Sequence, residues 1–329
     1  MNSNHLNRKF DSYIQSMHER GNFNGSVLIA VQGNVVLAKG YGFANVDLNV
    51  PNQRETVYRI GSISKPITAE AILTLAHQGQ LRLKEKLTTY LPEFLQWKHI
   101  SIEQLLTHSS GIPNFVLLPD FPKFALLPHT VDELIATFSA LPLNFEPGTR
   151  FEYANSNYIL LGKVIEAISG MSYADYVRQY VLLPAGMGDT LLEDSNTIVA
   201  NRAVGYEVDS EGSLQRASYI DMSNAHAAGG FLSTIDDLYR LDCALRSKRW
   251  GDQDIGDAVE NMYAHRHQPY GYGWFITGIP VVFHHGGING FTSTFVRHLE
   301  QNLTVIALSN IVTLNTAALG QQLMDMLME

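Results

Sequence analysis

Hydrophobic residues near the start of the chain recur at helical spacing. Leu6, Phe10, Ile14 and Met17 lie three or four positions apart, with mostly polar residues between them. This spacing places the four side chains in one stripe, which predicts an amphipathic helix that packs on a larger apolar surface.

Two strand-length apolar runs follow this helix. They are Ser26–Val31 and Val35–Ala38, and they are separated by Gln32-Gly33-Asn34. A connection of this length that contains glycine favours an antiparallel hairpin. The segment Val57–Ile60 predicts a third strand.

Helix signals dominate from Ser64 to about His267, and strand signals return after about position 268. The first helix of this region is expected over Ser64–Ala76. The other expected elements are loops at 113–128 and 144–148, strands at Gly273–Val282 and Phe291–Val296 on either side of a glycine-rich turn, a strand at Leu303–Asn310, and a terminal helix at Thr316–Met328.

This order of elements predicts an α+β fold. Strands from both ends of the chain join in one antiparallel sheet, the terminal helices cover it, and a large helical region is inserted between them. We expect a single domain over 1–329, with an α/β part at about 1–63 and 268–329 and a helical region at about 64–267.

The composition is that of a globular protein, with 45% hydrophobic and 17% charged residues. The net charge of −9 argues against a broad surface for nucleic acid or anionic lipid. The single Cys243 cannot form an intrachain disulfide. The first 20 residues lack the apolar stretch of a signal peptide, so we expect a cytoplasmic protein as written, or an exported one if the N-terminus was trimmed.

A hydroxyl and an amine stand three positions apart in Gly61-Ser-Ile-Ser-Lys65, where an extended segment changes to helix. On a helix this spacing puts Ser62 and Lys65 on one face. A desolvated lysine loses its proton near neutral pH and acts as a base, which makes an adjacent serine nucleophilic. Ser64 is an alternative hydroxyl, but its spacing to Lys65 is wrong.

Two further segments carry groups suited to acyl transfer. Tyr153 and Asn155 stand at the start of an apolar helix, where a phenol shuttles a proton and an amide binds a carbonyl. The segment Phe283-His-His-Gly-Gly-Ile-Asn-Gly-Phe291 predicts a glycine-rich strand edge with backbone N–H groups available for an oxyanion. Taken alone, the first segment is more typical of a helix cap with a core tyrosine, and the second of a hairpin turn with surface histidines.

Together and in this order, the three segments resemble the penicillin-recognising serine hydrolases: class C β-lactamases, DD-peptidases, and related esterases and D-amino-acid peptidases. The resemblance covers residues from about 25 to 310. It extends to four more segments, which are Leu105-Leu-Thr-His-Ser-Ser-Gly-Ile-Pro113, Pro147-Gly-Thr-Arg-Phe151, Ala228-Gly-Gly-Phe-Leu-Ser-Thr-Ile-Asp-Asp-Leu238 and Tyr270-Gly-Tyr-Gly-Trp274.

The resemblance implies that Ser62 forms an acyl-enzyme and that Lys65 is its base. Tyr153 would return the proton to the leaving group, and Asn155 would hold the substrate amide.

The third motif of the family, Lys-Thr-Gly or His-x-Gly, has two registers in this chain. We favour His284 over His285, because counting back six places from the Gly290-Phe291 pair, as in family members, puts His284-His285-Gly286 on the motif. The resemblance then implies that the N–H of Gly287 joins that of Ser62 as the oxyanion hole. A histidine there lacks the permanent charge of a lysine, which disfavours efficient β-lactamase activity.

The expected function is hydrolysis of an amide or ester through a Ser62 acyl-enzyme without metal or cofactor, as in a D-alanyl-D-alanine carboxypeptidase, a β-lactamase-like enzyme or a D-amino-acid peptidase. Alternatives are a carboxylesterase for small acyl esters and a penicillin-binding scaffold with little turnover. The expected partners are a small-molecule or peptide substrate and a β-lactam ligand, without nucleic acid or membrane. The oligomeric state stays open.

Three more features leave alternatives open. The apolar segment 114–129 suits either a lid that shapes the acyl or leaving-group pocket or ordinary packing under a loop. Tyr272 and Trp274 suit a core aromatic cluster better than the wall of a cleft. His265 and His267 lack the acidic partners typical of a metal site.

Overall fold

The two ends of the chain meet in one sheet. The computed structural model describes residues 3–247, 269–276 and 280–329. The strands within these ranges are β1 (Gly25–Val31), β2 (Asn34–Tyr41), β3 (Phe43–Asn45), β4 (Val50–Pro51), β5 (Tyr58–Arg59), β6 (Leu191–Leu192), β7 (Tyr206–Val208), β8 (Leu214–Arg216), β9 (Phe231–Ser233), β10 (Tyr270–Gly271), β11 (Trp274–Ile276), β12 (Val281–Ile288), β13 (Phe291–His298) and β14 (Leu303–Ser309). Seven of them form an antiparallel sheet in the order β10-β11-β12-β13-β14-β1-β2.

The helices cover both faces of this sheet. Their bounds are α1 (Ser3–Glu19), α2 (Ser64–His77), α3 (Leu87–Tyr90), α4 (Ile102–Leu106), α5 (Phe121–Phe124), α6 (Val131–Ser139), α7 (Asn155–Ser169), α8 (Tyr173–Val177), α9 (Leu183–Ala185), α10 (His226–Gly229), α11 (Ile235–Arg246) and α12 (Thr316–Met328). A π-helical stretch, Arg178–Leu182, links α8 to α9. No helix in the described part of the chain has the length and apolar character needed to span a lipid bilayer.

The terminal helices pack on one face, as the sequence pattern predicts. Leu6, Phe10 and Ile14 of α1 are buried against the sheet, in one cluster with Leu319 and Leu323 of α12. The hairpin of β1 and β2 is confirmed, and β1 also pairs with β14 over its full length. The predicted α+β fold with a sheet made from both chain ends is therefore confirmed.

The helical region packs on the other face around α2. All its residues from Ser64 to Leu75 are buried. The helix has apolar residues on every side and lies inside the molecule. The described part of the region also contains four short strands that the sequence pattern did not predict, which are β6, β7, β8 and β9. The predicted strand Val57–Ile60 forms, as β5, but it joins the small sheet β5-β9-β6 rather than the large one.

The predicted glycine-rich turn is shorter than expected, and the predicted glycine-rich strand edge forms. The predicted strand over Gly273–Val282 contains the shorter β11, and positions 277–279 lie outside the described residues. The segment from His284 to Gly287 is not a turn but part of β12, paired with β13 along its whole length, and only Asn289 and Gly290 connect the two strands. Glycine is needed at position 286 because the backbone of Ile60 approaches it closely. A methyl group on Gly286 would lie 2.0 Å from the carbonyl oxygen of Ile60.

A buried ionic cluster fastens α11 to the sheet. Asp242 accepts hydrogen bonds from Arg297 Nε (2.5 Å), Arg246 Nε (3.0 Å) and the hydroxyl of Thr304. The Arg297 guanidinium also stacks on the ring of Trp274 at 5.0 Å. Burial raises the pKa of Asp242, but the two arginines outweigh burial and hold that pKa below its usual value.

Candidate active site

Ser62 stands in a single 3-10 turn, Gly61–Ile63, that leads directly into α2. Gly61 has φ +51°, and a Cβ atom there would lie 2.8 Å from the backbone nitrogen of Gly287. Only glycine permits both this backbone conformation and this close approach to β12. The turn therefore brings the half-buried Ser62 next to the glycine-rich strand.

Lys65 lies one turn further along and faces Ser62, as the spacing predicts. Its Nζ lies 3.0 Å from Ser62 Oγ, 2.8 Å from Asn155 Oδ1 and 2.7 Å from the carbonyl oxygen of Ala228. The side chain is completely buried, and burial lowers the pKa of its ammonium well below the ordinary value. A neutral amine has two hydrogens and one lone pair, so it can donate to the amide and carbonyl oxygens and accept from the Ser62 hydroxyl.

Ser64, the alternative hydroxyl, has a structural contact instead. It is buried, and its Oγ accepts a hydrogen bond from the backbone N–H of Phe231 at 3.2 Å. This bond ties the start of α2 to β9. The structure thus brings Lys65 to Ser62 and gives Ser64 a different partner.

Tyr153 stands beside both residues. Lys65 Nζ lies 4.8 Å from the centroid of its ring. Burial raises the pKa of the phenol far above its usual value, and a hydrogen bond with Ser62 offsets part of this effect. The phenol is therefore protonated and next to the serine hydroxyl.

Asn155 is the first residue of α7, and Asn114 fixes its orientation. The Oδ1 atom of Asn114 accepts hydrogen bonds from the backbone N–H of Asn155 (3.0 Å) and from its Nδ2 (3.4 Å). Because Asn155 Oδ1 accepts from Lys65, the amide group has a defined direction, and Nδ2 keeps one hydrogen for another acceptor.

The two histidines of the third motif lie on opposite faces of β12, since alternate side chains of a strand point in opposite directions. His284 faces the Tyr153 side, with a ring-to-ring distance of 6.3 Å. His285 is half buried and has its Nδ1 2.8 Å from the hydroxyl of Thr294. The structure thus puts His284, and not His285, on the side of Ser62.

His284 is neutral. Its Nδ1 lies 2.6 Å from the carbonyl oxygen of His285, so it carries the hydrogen, and its Nε2 accepts from the hydroxyl of Tyr270 at 2.9 Å. Burial lowers the pKa of the imidazole well below its usual value, and any positive charge on Lys65 lowers it further. Both ring nitrogens thus have protein partners, and the ring supplies no positive charge.

A cleft of about 200 Å³ opens at Ser62, and Asn155 and Gly287 also line it.

Beside the cleft, β12 has a free edge. Within the described residues β11 pairs only with Val282 and Phe283, so the edge from His284 onward has no strand partner on that side. The space available for an added methyl group differs between Gly286 and Gly287. One on Gly286 would collide with Ile60, whereas one on Gly287 would meet nothing within 4 Å.

The walls of the cleft are apolar. They include Phe115, Val116 and Phe121 from the segment 114–129, together with Ile220 and Ile288. Among the described residues, the lining contains no acidic or basic side chain. The segment 114–129 therefore shapes the cleft, which favours the pocket-forming alternative of the two that the sequence left open.

Tyr272 and Trp274 are part of the core, as expected. Trp274 is completely buried, with its ring edge-to-face with that of Phe295 at 5.1 Å. Tyr272 is nearly buried and donates to Glu103 at 2.9 Å. Neither residue lines the cleft. His265 and His267 lie outside the described residues.

Sequence reasoning missed four groups at the site. They are the side chain of Asn114, the carbonyl of Ala228, the hydroxyl of Tyr270, and His108, whose ring lies 4.4 Å from that of Tyr153. Three of the four stand in segments that carry the family resemblance, so the signal was present, but no spacing argument connected them to Ser62. Asn114 had no signal beyond its place at the start of an apolar segment.

Comparisons with known proteins agree on one family. The family model described as Beta-lactamase matches residues 10–322. A penicillin-binding protein of Bacillus subtilis is 29% identical over 92% of this chain and 71% of its own length. Protein flp of Staphylococcus aureus is 29% identical over 94% of this chain, which spans only 64% of that relative. The crystal structure of a penicillin-binding protein from Bacillus halodurans has a TM-score of 0.84 and 25% identity, covering 95% of this chain and 99% of that one.

Proposed function

The chain belongs to the Beta-lactamase family of serine hydrolases, and from this membership and the geometry at Ser62 we propose that it hydrolyses an ester or amide through an acyl group on Ser62. One observation carries the proposal. The completely buried Lys65 has its Nζ 3.0 Å from Ser62 Oγ, and its other two contacts are to oxygen atoms of Asn155 and Ala228. A neutral amine satisfies all three contacts and directs its lone pair at the serine hydroxyl.

Acylation then follows from the positions of the groups. Ser62 Oγ attacks the substrate carbonyl carbon while its proton passes to Lys65, and the N–H groups of Ser62 and Gly287 hold the developing oxyanion. The carbon–leaving-group bond breaks, and Tyr153 supplies the proton that the leaving oxygen or nitrogen takes up. Lys65 restores the phenol with the proton it received. Water attacks the acyl carbon in the second half and releases the acid and Ser62.

The cleft indicates which part of the substrate it binds. Tyr153 is not among the residues that line it, so the leaving group lies outside and the acyl group inside. A water molecule takes about 30 Å³ of liquid volume, so the cleft of about 200 Å³ holds on the order of six non-hydrogen atoms. Because the walls are apolar and carry no charge, the preferred acyl group is small and uncharged.

The neutral His284 limits the leaving group, which is where a DD-carboxypeptidase substrate carries its free carboxylate. A substrate carboxylate needs a cation or several donors, and both nitrogens of this ring already have protein partners. Esters and amides of small apolar acids therefore fit better than the free-carboxylate substrates of a DD-carboxypeptidase.

A second candidate is hydrolysis of a peptide amide. The observation that favours it is the free edge of β12 beside Ser62. An extended peptide can form main-chain hydrogen bonds with such an edge.

A series of p-nitrophenyl esters from acetate to decanoate, with the hemisuccinate as the charged member, tests the proposal. We expect the highest kcat/KM for about four to six acyl carbons, at least about tenfold lower values for the hemisuccinate, and an acyl adduct on Ser62 by mass spectrometry. Ser62→Ala should lose the adduct and at least about 10³-fold in rate.

Two phenylalanines of α5 provide a matched pair for the pocket. Phe121 lines the cleft, whereas Phe124 stacks on His129 and is absent from the lining. Phe121→Ala should shift the optimum to longer acyl chains, and Phe124→Ala should leave it unchanged. Turnover that persists in Ser62→Ala would exclude the acyl-enzyme, and a charged acyl group preferred by the wild type would exclude the proposed substrate class.

A further inference from the structure

His108 holds the backbone on both sides of Tyr153. Its carbonyl oxygen accepts a hydrogen bond from the N–H of Glu152 at 2.9 Å, and its ring Nδ1 accepts one from the N–H of Ala154 at 3.3 Å. The ring itself packs against that of Tyr153 at 4.4 Å. One residue thus contacts the tyrosine ring and both neighbouring peptide groups.

The protonation of the His108 ring is fixed by a second chain of hydrogen bonds. Ser110 Oγ donates to Asn157 Oδ1 at 2.6 Å, so the amide of Asn157 directs its Nδ2 at His108 Nδ1, 3.1 Å away. Nδ1 therefore accepts from two donors, Ala154 N–H and Asn157 Nδ2, and carries no hydrogen. The proton is on Nε2, which has no hydrogen-bond partner within the described residues.

The backbone of His108 has an uncommon conformation. Its φ is +55°, in the left-handed region that non-glycine residues rarely adopt, and the residue is completely buried. Such a conformation is strained and persists where the surrounding structure enforces it. Here it allows the carbonyl and the ring of one residue to contact the same short segment.

We propose that His108 is a positioning residue for Tyr153, which sets the place of the phenol relative to Ser62 through the acceptor atom Nδ1 and the backbone carbonyl. The proposal rests on the function proposed above, in which Tyr153 delivers the proton to the leaving group. Proton transfer requires the phenol oxygen within about 2.6–3.2 Å of its partner, and a misplacement of 1 Å costs on the order of 10²-fold in rate. The contribution of His108 is therefore to kcat and not to substrate binding.

Two substitutions of similar polarity separate positioning from packing. Asn places its Oδ1 where His has Nδ1, and Asn is one of the residues that tolerate a left-handed conformation. Gln moves its oxygen one carbon further out. Both variants lose the imidazole ring, but only His108→Asn keeps an acceptor for Ala154 and Asn157.

The experiment measures kcat and KM for the preferred p-nitrophenyl ester in the full-length protein, with the fraction of folded protein determined by circular dichroism. We expect His108→Asn to stay within about threefold of wild type, and His108→Gln to lose at least about 30-fold in kcat with KM within about threefold. In a Tyr153→Phe background, His108→Gln should cause almost no further loss, because the phenol that it positions is gone.

The proposal is overturned if the two variants lose kcat equally, if His108→Gln has no effect, or if its loss is as large in the Tyr153→Phe background as in wild type. A wild type that forms no acyl adduct on Ser62 with any ester would overturn the proposed function as well. An active wild type with equal variants would overturn only the role of His108.

Discussion

Gly286→Ala should inactivate the protein by separating β12 from the turn that carries Ser62. The added methyl group would lie 2.0 Å from the carbonyl oxygen of Ile60 and 2.3 Å from Ser293 Oγ, whereas such atoms normally pack at about 3.5 Å. Ser293 Oγ also donates to the Ile60 carbonyl at 2.9 Å, so neither neighbour can move alone. The backbone must shift by about 1 Å or more.

The shift falls on the oxyanion hole, because Ile60 lies two residues before Ser62 and Gly286 is adjacent to Gly287. A displacement of 1 Å costs about 10²-fold in rate, and loss of one oxyanion donor costs about 10²–10³-fold. We therefore expect kcat/KM of Gly286→Ala to fall by about 10²–10³-fold.

The assay is ester hydrolysis at matched concentrations of folded protein, with thermal unfolding recorded for each variant. Gly287→Ala is the control, because a methyl group there would meet nothing within 4 Å. It should retain the wild-type unfolding temperature, and any change should be in acyl preference, since Gly287 lines the cleft. A kcat/KM of Gly286→Ala within about threefold of wild type would refute the reasoning.

Two further predictions concern buried charge. The rate constant kcat/KM should rise as the pH increases through the lowered pKa of Lys65, because only the neutral amine accepts the serine proton. Lys65→Arg should be at least about 10²-fold slower between about pH 5 and pH 10, because arginine stays protonated over this range. Asp242→Ala should lower the free energy of unfolding in urea by about 3–5 kcal/mol, because it leaves Arg297 buried without its carboxylate. Asp236→Ala, which breaks a more exposed pair with Arg54, should cost about 0–1 kcal/mol, and equal losses would contradict the argument.

The pH dependence of stability has a defined sign for Asp242. Its pKa is lowered in the folded state, so its stabilising contribution is present above the unfolded-state value of about 3.9 and is lost as pH falls through the lower folded-state value. The difference between wild type and Asp242→Ala should therefore shrink below about pH 4.

Local patterns explain the elements that were predicted correctly. The stripe Leu6, Phe10, Ile14 forms α1 because helical periodicity depends only on neighbours in the chain, and the terminal helix has the predicted bounds Thr316–Met328 for the same reason. The Ser62–Lys65 contact was also predictable, because three positions on a helix bring two side chains together.

The features that the sequence left open depend on distant parts of the chain. Glycines in a row are typical of turns as well as of strand edges. Gly286 lies in a strand because it pairs with Ser293, and it must be glycine because Ile60, more than 220 residues earlier, approaches closely. A histidine is ordinarily neutral at pH 7, as expected from the sequence, but its two partners here, the hydroxyl of Tyr270 and the carbonyl of His285, are ones that no pattern of polar positions describes. The role that we propose for His108 depends on peptide groups 44 and 46 positions later, which only the folded chain brings within reach.

The pairing of β1 with β14 has a consequence for biosynthesis. About 270 residues separate these two strands. At about 5–20 residues per second, the ribosome needs roughly 15–50 s to synthesise the residues between them. During this time β1 has an exposed edge that β14 covers later. The sheet, and with it the strand edge beside Ser62, is therefore completed only after β14 has left the ribosome. We expect newly made protein to gain activity only then and to depend on protection of β1 from aggregation until then.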